Sequence, residues 1–443
     1  MKVGDVPGLS VALIREGRIY WHRGFGVKNA NSKEPVDDAT VFEAASLSKP
    51  VFAYAVLKLV DAGRLDLDKP LATYLAEPYL KNDDRSNLIT ARMVLTHTTG
   101  FQNEATSSSP LRIYFAPGLR FSYSGEGFLY LQRVIEQITG QPLDLFMERT
   151  VFLPLGMRSS SFVWQEKYEQ LKATGHKASG VVAERRRPAV PRAPSSLHTT
   201  AVDYGRFVIA VMKGTGLKID TAQQMIQSQV SLNQTCISCL DRSSGPESRN
   251  LSWGLGWGLE RSQRGKAIWH WGENNGEFQN FVMAYPKEKL AIVVLTNSGN
   301  GLSIIPAIVV RAIGGNHAAF AWMGYESYNS PAKVLFRTIL VRGVAAIQAY
   351  RTSRRQDRGI LSESQVNSIG YWLLGKKRVN EAIEIFKLNV ENFPQSSNAY
   401  DSLGEAYMIS GNRELSLRSY ERSVQLDPRN TNAIEMIKKL KNK

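Results

Sequence analysis

Strand-forming sequence stands at the two ends of residues 9–297, and helical sequence fills the space between. Residues 9–14 are an apolar run, Glu16-Gly17 a tight turn and Ile19-Tyr20-Trp21 the return strand, which together read as a hairpin. Three further runs come late, at 267–270, 278–285 and 290–297, the last two joined by Pro286-Lys287-Glu288-Lys289. Helical segments lie between, among them 92–95 and 129–138, the second stopped by Gly140. This order predicts an α+β fold with one antiparallel sheet assembled from both ends. The helical part would cover one side, leaving a cleft at the junction. Residues 302–313 read as a closing helix on the sheet.

At that junction stands Ser46-Leu47-Ser48-Lys49, followed by Val51-Phe52-Ala53-Tyr54-Ala55-Val56-Leu57 and a stop at Gly63. A serine and a lysine three apart on a helix share one face. The helix is apolar nearly all round, so it is buried, and a lysine near its start is desolvated and can act as a neutral base. The serine sits at the positive helix end with free N–H groups nearby. These are the parts of a serine acyl-transfer enzyme without a Ser-His-Asp triad. Ser330-Pro331-Ala332-Lys333 matches the same spacing, but after polar Tyr328-Asn329 and before a proline it reads as a helix entry.

Beyond Gly314 the pattern changes. A bridging segment leads to Pro331 and a helix over about 333–351, and then a period of 34 appears. Gly370 aligns with Gly404, Phe386 with Tyr420, Val390 with Val424 and Pro394 with Pro428. The period and its small, aromatic and proline positions resemble tetratricopeptide repeats, two of them with a final helix. Two such units bury too little alone and need the preceding helix, the rest of the chain or a second copy.

The 443 residues exceed one ordinary domain, and 43% hydrophobic with 21% charged residues is a globular composition. No run of eighteen apolar residues exists, so no membrane span is expected. The net charge is +15, more than half of it beyond Pro331, with a second focus at Arg185-Arg186-Arg187. No nucleic-acid motif accompanies that charge, so no nucleic-acid partner is expected. Cys236 and Cys239 form a lone C-x-x-C, which reads as a local disulfide or two free thiols rather than a zinc site. Neither metal nor cofactor is expected, and no G-x-S-x-G elbow or phosphate-binding glycine loop occurs.

Several motifs carry a resemblance in a fixed order: Ser46-Leu47-Ser48-Lys49, Leu95-Thr96-His97-Thr98-Thr99-Gly100, Phe121-Ser122-Tyr123-Ser124-Gly125, Pro154-Leu155-Gly156-Met157, His270-Trp271-Gly272 and Tyr285-Pro286. Over about residues 3–316 the chain resembles the serine hydrolases related to class C β-lactamases, which include D-Ala-D-Ala carboxypeptidases, D-aminopeptidases and family VIII carboxylesterases. The resemblance implies a β-lactamase/transpeptidase-like hydrolase domain at 1–316. A bridging segment at 317–360 and an all-α tetratricopeptide-like domain at 361–443 follow. It implies Ser46 as nucleophile, Lys49 as proton acceptor and Tyr123 as a general base held beside the lysine cation. The N–H groups of Ser46 and Glu273, next to Gly272, would form the oxyanion hole.

Two positions depart from that pattern. Gly125 replaces an asparagine amide that would contact the acyl chain, and His270 replaces a lysine that would grip a substrate carboxylate. The expected substrates are therefore small neutral esters or amides, or ones with a free amine, with β-lactams turned over slowly. The alternative is a catalytically silent penicillin-binding-like protein whose repeats recruit a protein partner or a second copy. Members of the family are commonly exported, yet residues 1–8 hold no apolar leader core, which leaves the compartment open.

Overall fold

The computed structural model describes residues 1–233, 236–240, 247–354 and 361–441. Residues 355–360 of the expected bridging segment and 442–443 after the final helix lie outside the described residues. The chain divides into two compact units, Met1–Lys177 with Val182–Tyr325, and Glu326–Lys443 with Ala178–Val181.

In the first unit the strands are β1 (Gly8–Arg15), β2 (Arg18–Gly26), β3 (Phe42–Glu43), β4 (His198–Thr199), β5 (Val230–Asn233), β6 (Glu247–Trp253), β7 (Gly258–Ser262), β8 (Gly265–Asn274), β9 (Phe278–Tyr285) and β10 (Leu290–Thr296). An antiparallel sheet of 8 strands runs in the order β2-β1-β10-β9-β8-β7-β6-β5. The two ends of the unit meet where β1 pairs with β10, Leu9 opposite Thr296 and Ile14 opposite Ala291. Every residue of β9 and β10 is buried, so both faces of the sheet centre are covered. The helix Ala201–Lys213 lies on β1, where a side chain on Gly205 would come within 3.7 Å of Ala12 and Ile14. β3 and β4 form a separate pair below the cleft.

The apolar run after Ser46 forms α1 (Ser48–Asp61), buried on all faces over its first ten residues. Two helices of the helical part matter for the cleft, the short α2 (Ala91–Leu95) and the longer α3 (Glu126–Thr139), the latter capped by left-handed Gly140 as its sequence predicts. Three strands of the large sheet escape the sequence pattern, β5, β6 and β7, as do the two-residue β3 and β4.

In the second unit, the helix expected over 333–351 is two helices, Pro331–Arg342 and Val344–Arg354, broken at Gly343 with φ of 57°. Ser330 caps the first of them, its Oγ accepting the Lys333 N–H at 3.2 Å. Two helix pairs follow, Glu363–Gly375 with Val379–Asn392 and Ser397–Ile409 with Arg413–Leu426, each element recurring 34 residues on. The repeated glycines have a packing cause. A side-chain carbon on Gly370 would stand 2.3 Å from the Phe386 ring, and one on Gly404 3.1 Å from the Tyr420 ring. Thr431–Lys441 is the last helix.

Candidate active site

The chain leaves β3 and turns sharply at Ala45, whose φ of 53° is costly for a residue with a Cβ, about 1–3 kcal/mol. That turn lifts Ser46 onto a single 3₁₀ turn, Ala45–Leu47, ahead of α1. The turn is pinned from outside. Tyr204 Oη donates to Leu47 O at 3.0 Å, and Ser48 Oγ accepts the Leu197 N–H at 3.0 Å while donating to Ala45 O at 2.6 Å. From the sheet side β8 presses directly against it. A Cβ on Gly272 would sit 2.3 Å from Ala44 O and 3.2 Å from Ser46 N, so only glycine fits there. β7 pairs with β8 only as far as Trp269, which leaves the edge of residues 270–274 facing the Ser46 turn instead of another strand.

Lys49, 2% exposed, points its Nζ at Ser46 Oγ (2.9 Å) and Pro194 O (3.1 Å). Burial lowers its pKa to about 7, so near neutrality a large fraction is the free amine. Tyr123 lies against it, with Nζ 4.7 Å from the ring centre. The phenol makes no hydrogen bond within 3.5 Å, although Ser46 is near enough to pull its pKa down slightly. Burial outweighs that pull and drives the Tyr123 pKa up, so the tyrosine keeps its proton. The lysine cation beside it does not offset this, and the group that titrates near neutrality is Lys49.

Tyr123 is held from both sides. Its N–H donates to Ile237 O at 2.9 Å, in the loop closed by the Cys236–Cys239 disulfide, and Arg120 reaches Cys239 O and Leu240 O. His97 stacks on the Tyr123 ring (4.3 Å between centres), its carbonyl accepts the Ser122 N–H at 2.8 Å and its Nδ1 the Ser124 N–H at 3.0 Å. Fully buried, His97 is driven far towards the neutral form and acts as a brace.

The remaining expected residues divide. A cavity of about 650 Å³ opens beside Ser46 and Lys49, and Gly125 and Glu273 line it together with Asn103, Asn274 and residues 184–188 and 192–196 in part. His270 does not line it. The two-residue period of β8 puts His270 on the face of Gly272 but further in, where its ring lies 6.1 Å from Tyr123 and 5.4 Å from Trp253. Burial and the Lys49 charge hold its pKa at about 3, and Nδ1 faces Trp271 O at 2.6 Å. It is a buried, neutral group beneath the site, and Tyr123 and Gly272 do not line the cavity either. Gly125 has an unexpected neighbour as well. A Cβ there would stand 2.6 Å from Asn103 O and 3.3 Å from Asn103 Oδ1, so Asn103 crowds the space that a side chain at 125 would enter. The Glu273 carboxylate accepts the Tyr325 hydroxyl.

The sequence reading also passed over Glu43. Its carboxylate accepts Lys172 Nζ (2.7 Å), Arg186 Nη2 (3.1 Å) and Asn274 Nδ2 (3.2 Å) at the cavity floor. One acidic residue inside the apolar run Val41-Phe42-Glu43-Ala44-Ala45 was the available signal.

A family model described as beta-lactamase matches residues 1–305. The chain belongs to the beta-lactamase family. Among curated relatives, Protein flp of Staphylococcus aureus is 22% identical over 410 residues, 84% of this chain and 77% of that protein. Penicillin-binding protein 4 of Amycolatopsis lactamdurans is 26% identical over 340 residues, 70% of this chain and 85% of the relative. Among solved structures, the octameric penicillin-binding protein homologue from Pyrococcus abyssi aligns with a TM-score of 0.58 at 20% identity, covering 76% of this chain and 78% of its own. The D-alanine carboxypeptidase AmpC from Burkholderia cenocepacia aligns at 0.56 and 20% identity, covering 67% and 90%. Both share the fold of this family member.

Proposed function

We propose that the first unit is a serine hydrolase that passes small ester or amide substrates, peptide-type ones included, through an acyl-Ser46 intermediate. The observation that carries this is the buried Lys49 amine, 2.9 Å from Ser46 Oγ with a pKa of about 7. Neutral Lys49 takes the Ser46 proton as Oγ bonds to the substrate carbonyl carbon. The developing oxyanion is received by the N–H groups of Ser46 and Glu273, a pairing supported by the close approach that Gly272 allows. As the tetrahedral centre collapses the bond to the leaving group breaks, and the Tyr123 hydroxyl hands it a proton that Lys49 replaces. Water then attacks the acyl carbon, gives its proton to Lys49, and the bond to Oγ breaks with the proton returned to Ser46. With His270 walled off, no histidine or lysine from β8 grips a substrate carboxylate, which supports neutral esters and amides over rapid β-lactam hydrolysis. The names of two relatives, a penicillin-binding protein and a D-alanine carboxypeptidase, favour D-amino-acid peptides among the amides.

In the second unit we read the paired helices as tetratricopeptide-like repeats spanning 361–443, with 317–360 as the bridge from a hydrolase domain at 1–316. The 34-residue recurrence and the Gly370–Phe386 and Gly404–Tyr420 packing support this. Their role is to hold a protein partner or a second copy, and the octameric neighbour favours the second copy. Light scattering on the full chain distinguishes the two.

The test of the enzyme is intact-protein mass after brief exposure to a penicillin and to a short-chain activated ester, with Ser46→Ala as control. An adduct or turnover in the wild type that the variant lacks supports the acyl-serine route, and the reagent that reacts separates ester from lactam use. Equal behaviour of wild type and Ser46→Ala removes Ser46 as nucleophile.

A further inference from the structure

A buried ion pair adds little net stability compared with well-packed apolar residues, so one at the floor of a cleft calls for another explanation. Glu43 is such a residue. It lies three positions before Ser46 on β3, with its side chain 8% exposed. Its Oε1 accepts Lys172 Nζ at 2.7 Å, and the same ammonium donates to Arg186 O at 3.1 Å. Its Oε2 accepts Arg186 Nη2 at 3.1 Å and Asn274 Nδ2 at 3.2 Å, while Arg186 is shared with Glu277 at 2.9 Å. Its backbone carbonyl accepts Asn280 Nδ2 from β9 at 2.9 Å, and β3 pairs it with His198.

Three segments that frame Ser46 are joined by these bonds. Asn274 ends β8, one residue after Glu273. It also donates to Ser195 O at 3.2 Å, and the preceding carbonyl, that of Pro194, accepts Lys49 Nζ at 3.1 Å. A continuous chain of contacts thus runs from the Glu43 carboxylate through Asn274 to the backbone that holds the Lys49 amine. Arg186 brings the cavity wall to the same point. With three donors on its two oxygens, two of them cations, Glu43 is a poor base, and its use is to set distances.

We infer that Glu43 is a positioning residue for acyl transfer, fixing the β8 end and the Pro194 carbonyl relative to Ser46 through one carboxylate. This rests on the acyl-Ser46 reading. Displacing a reacting group by about 1 Å costs on the order of 10²-fold in rate even when the change is remote from the chemistry.

The test uses the full chain and a neutral activated ester. Glu43→Gln keeps the shape and removes the charge, and Glu43→Asp keeps the charge on a shorter arm. For Glu43→Gln the expected result is kcat down by roughly 10- to 100-fold with KM nearly unchanged. The fraction of protein that acylates on long exposure stays at the wild-type level, and the rise of rate with pH keeps its midpoint near that of the wild type. Glu43→Asp should recover part of kcat. Asn274→Ala, which leaves every buried charge in place, should lower kcat in the same direction and keeps the idea testable if Glu43→Gln fails to fold. Wild-type kcat in Asn274→Ala, or in Glu43→Gln, overturns the inference while acylation of the wild type leaves the Ser46 reading standing. Absence of any acylation in the wild type fells that reading, and the inference with it.

Discussion

Replacing Lys49 with methionine should make the protein more stable at neutral pH while abolishing turnover. The amine loses its proton in the fold at about 7 instead of 10.5, so folding at pH 7 must work against a proton that the unfolded chain holds. From that difference the folded state gives up about 4 kcal/mol at pH 7 and about 2 kcal/mol at pH 9, at 1.36 kcal/mol per pH unit. The sign follows from a folded pKa below the unfolded one. The Lys49 contribution to stability rises with pH between about 7 and 10.5 and is flat below that window. Methionine fills similar volume but leaves Ser46 Oγ and Pro194 O without their donor, about 1 kcal/mol each. Lys49→Met should therefore gain roughly 2 kcal/mol at pH 7, about 4 °C in the melting temperature of the first unit, and nothing at pH 9. Calorimetry on the full chain at the two pH values measures this. A variant that melts below the wild type at pH 7, or a difference that does not shrink by pH 9, would show that Lys49 is charged and paired in the fold, and the neutral-base argument would fail.

Gly272→Ala should lower the melting temperature by several degrees and slow acylation of Ser46, because the new methyl meets Ala44 O at 2.3 Å; an active, equally stable variant would mean β8 does not lie against the turn. Reducing Cys236–Cys239 frees the loop that holds the Tyr123 N–H through Ile237 O, so ester turnover should fall under a mild reductant and return on reoxidation. Unchanged rates with the thiols counted as free would discard that link. Gly370→Ala should destabilise the second unit by about 1–3 kcal/mol through the Phe386 ring and leave ester turnover untouched, which separate thermal and kinetic assays read directly.

The outer features of the fold were legible because they follow from elementary patterns. β10 is an apolar run up to Thr296, β9 becomes one from Phe281, the first hairpin turns on Glu16-Gly17, and a serine–lysine pair heads a helix apolar nearly all round. β5, β6 and β7 were hidden. Glu247-Ser248-Arg249-Asn250 has no apolar character and Gly254, Gly256 and Gly258 break the run, so these strands owe their conformation to pairing in register from β8 outwards. Gly343 divides a helix whose side-chain pattern runs on past it. At the site, Ser46, Lys49 and Tyr123 come together as their motifs suggest. Spacing could not reveal that Tyr123 stays protonated, since burial decides it, nor that His270 is covered, since Trp253 and Tyr123 arrive from distant sequence. Asn103 gave no signal at all, as nothing local distinguishes it from any loop asparagine.

The pairing of β1 with β10 imposes an order on how the protein is made. β1 emerges from the ribosome early, and its apolar residues have only the β2 side to pair with until Thr296 has been translated. Most of the first unit must therefore wait, partly formed, with an unprotected strand edge at its centre, a state that invites misassembly. The helix pairs of the second unit depend on contacts close in sequence and can fold as fast as they appear. Synthesis thus runs from a slow, long-range assembly to a quick, local one.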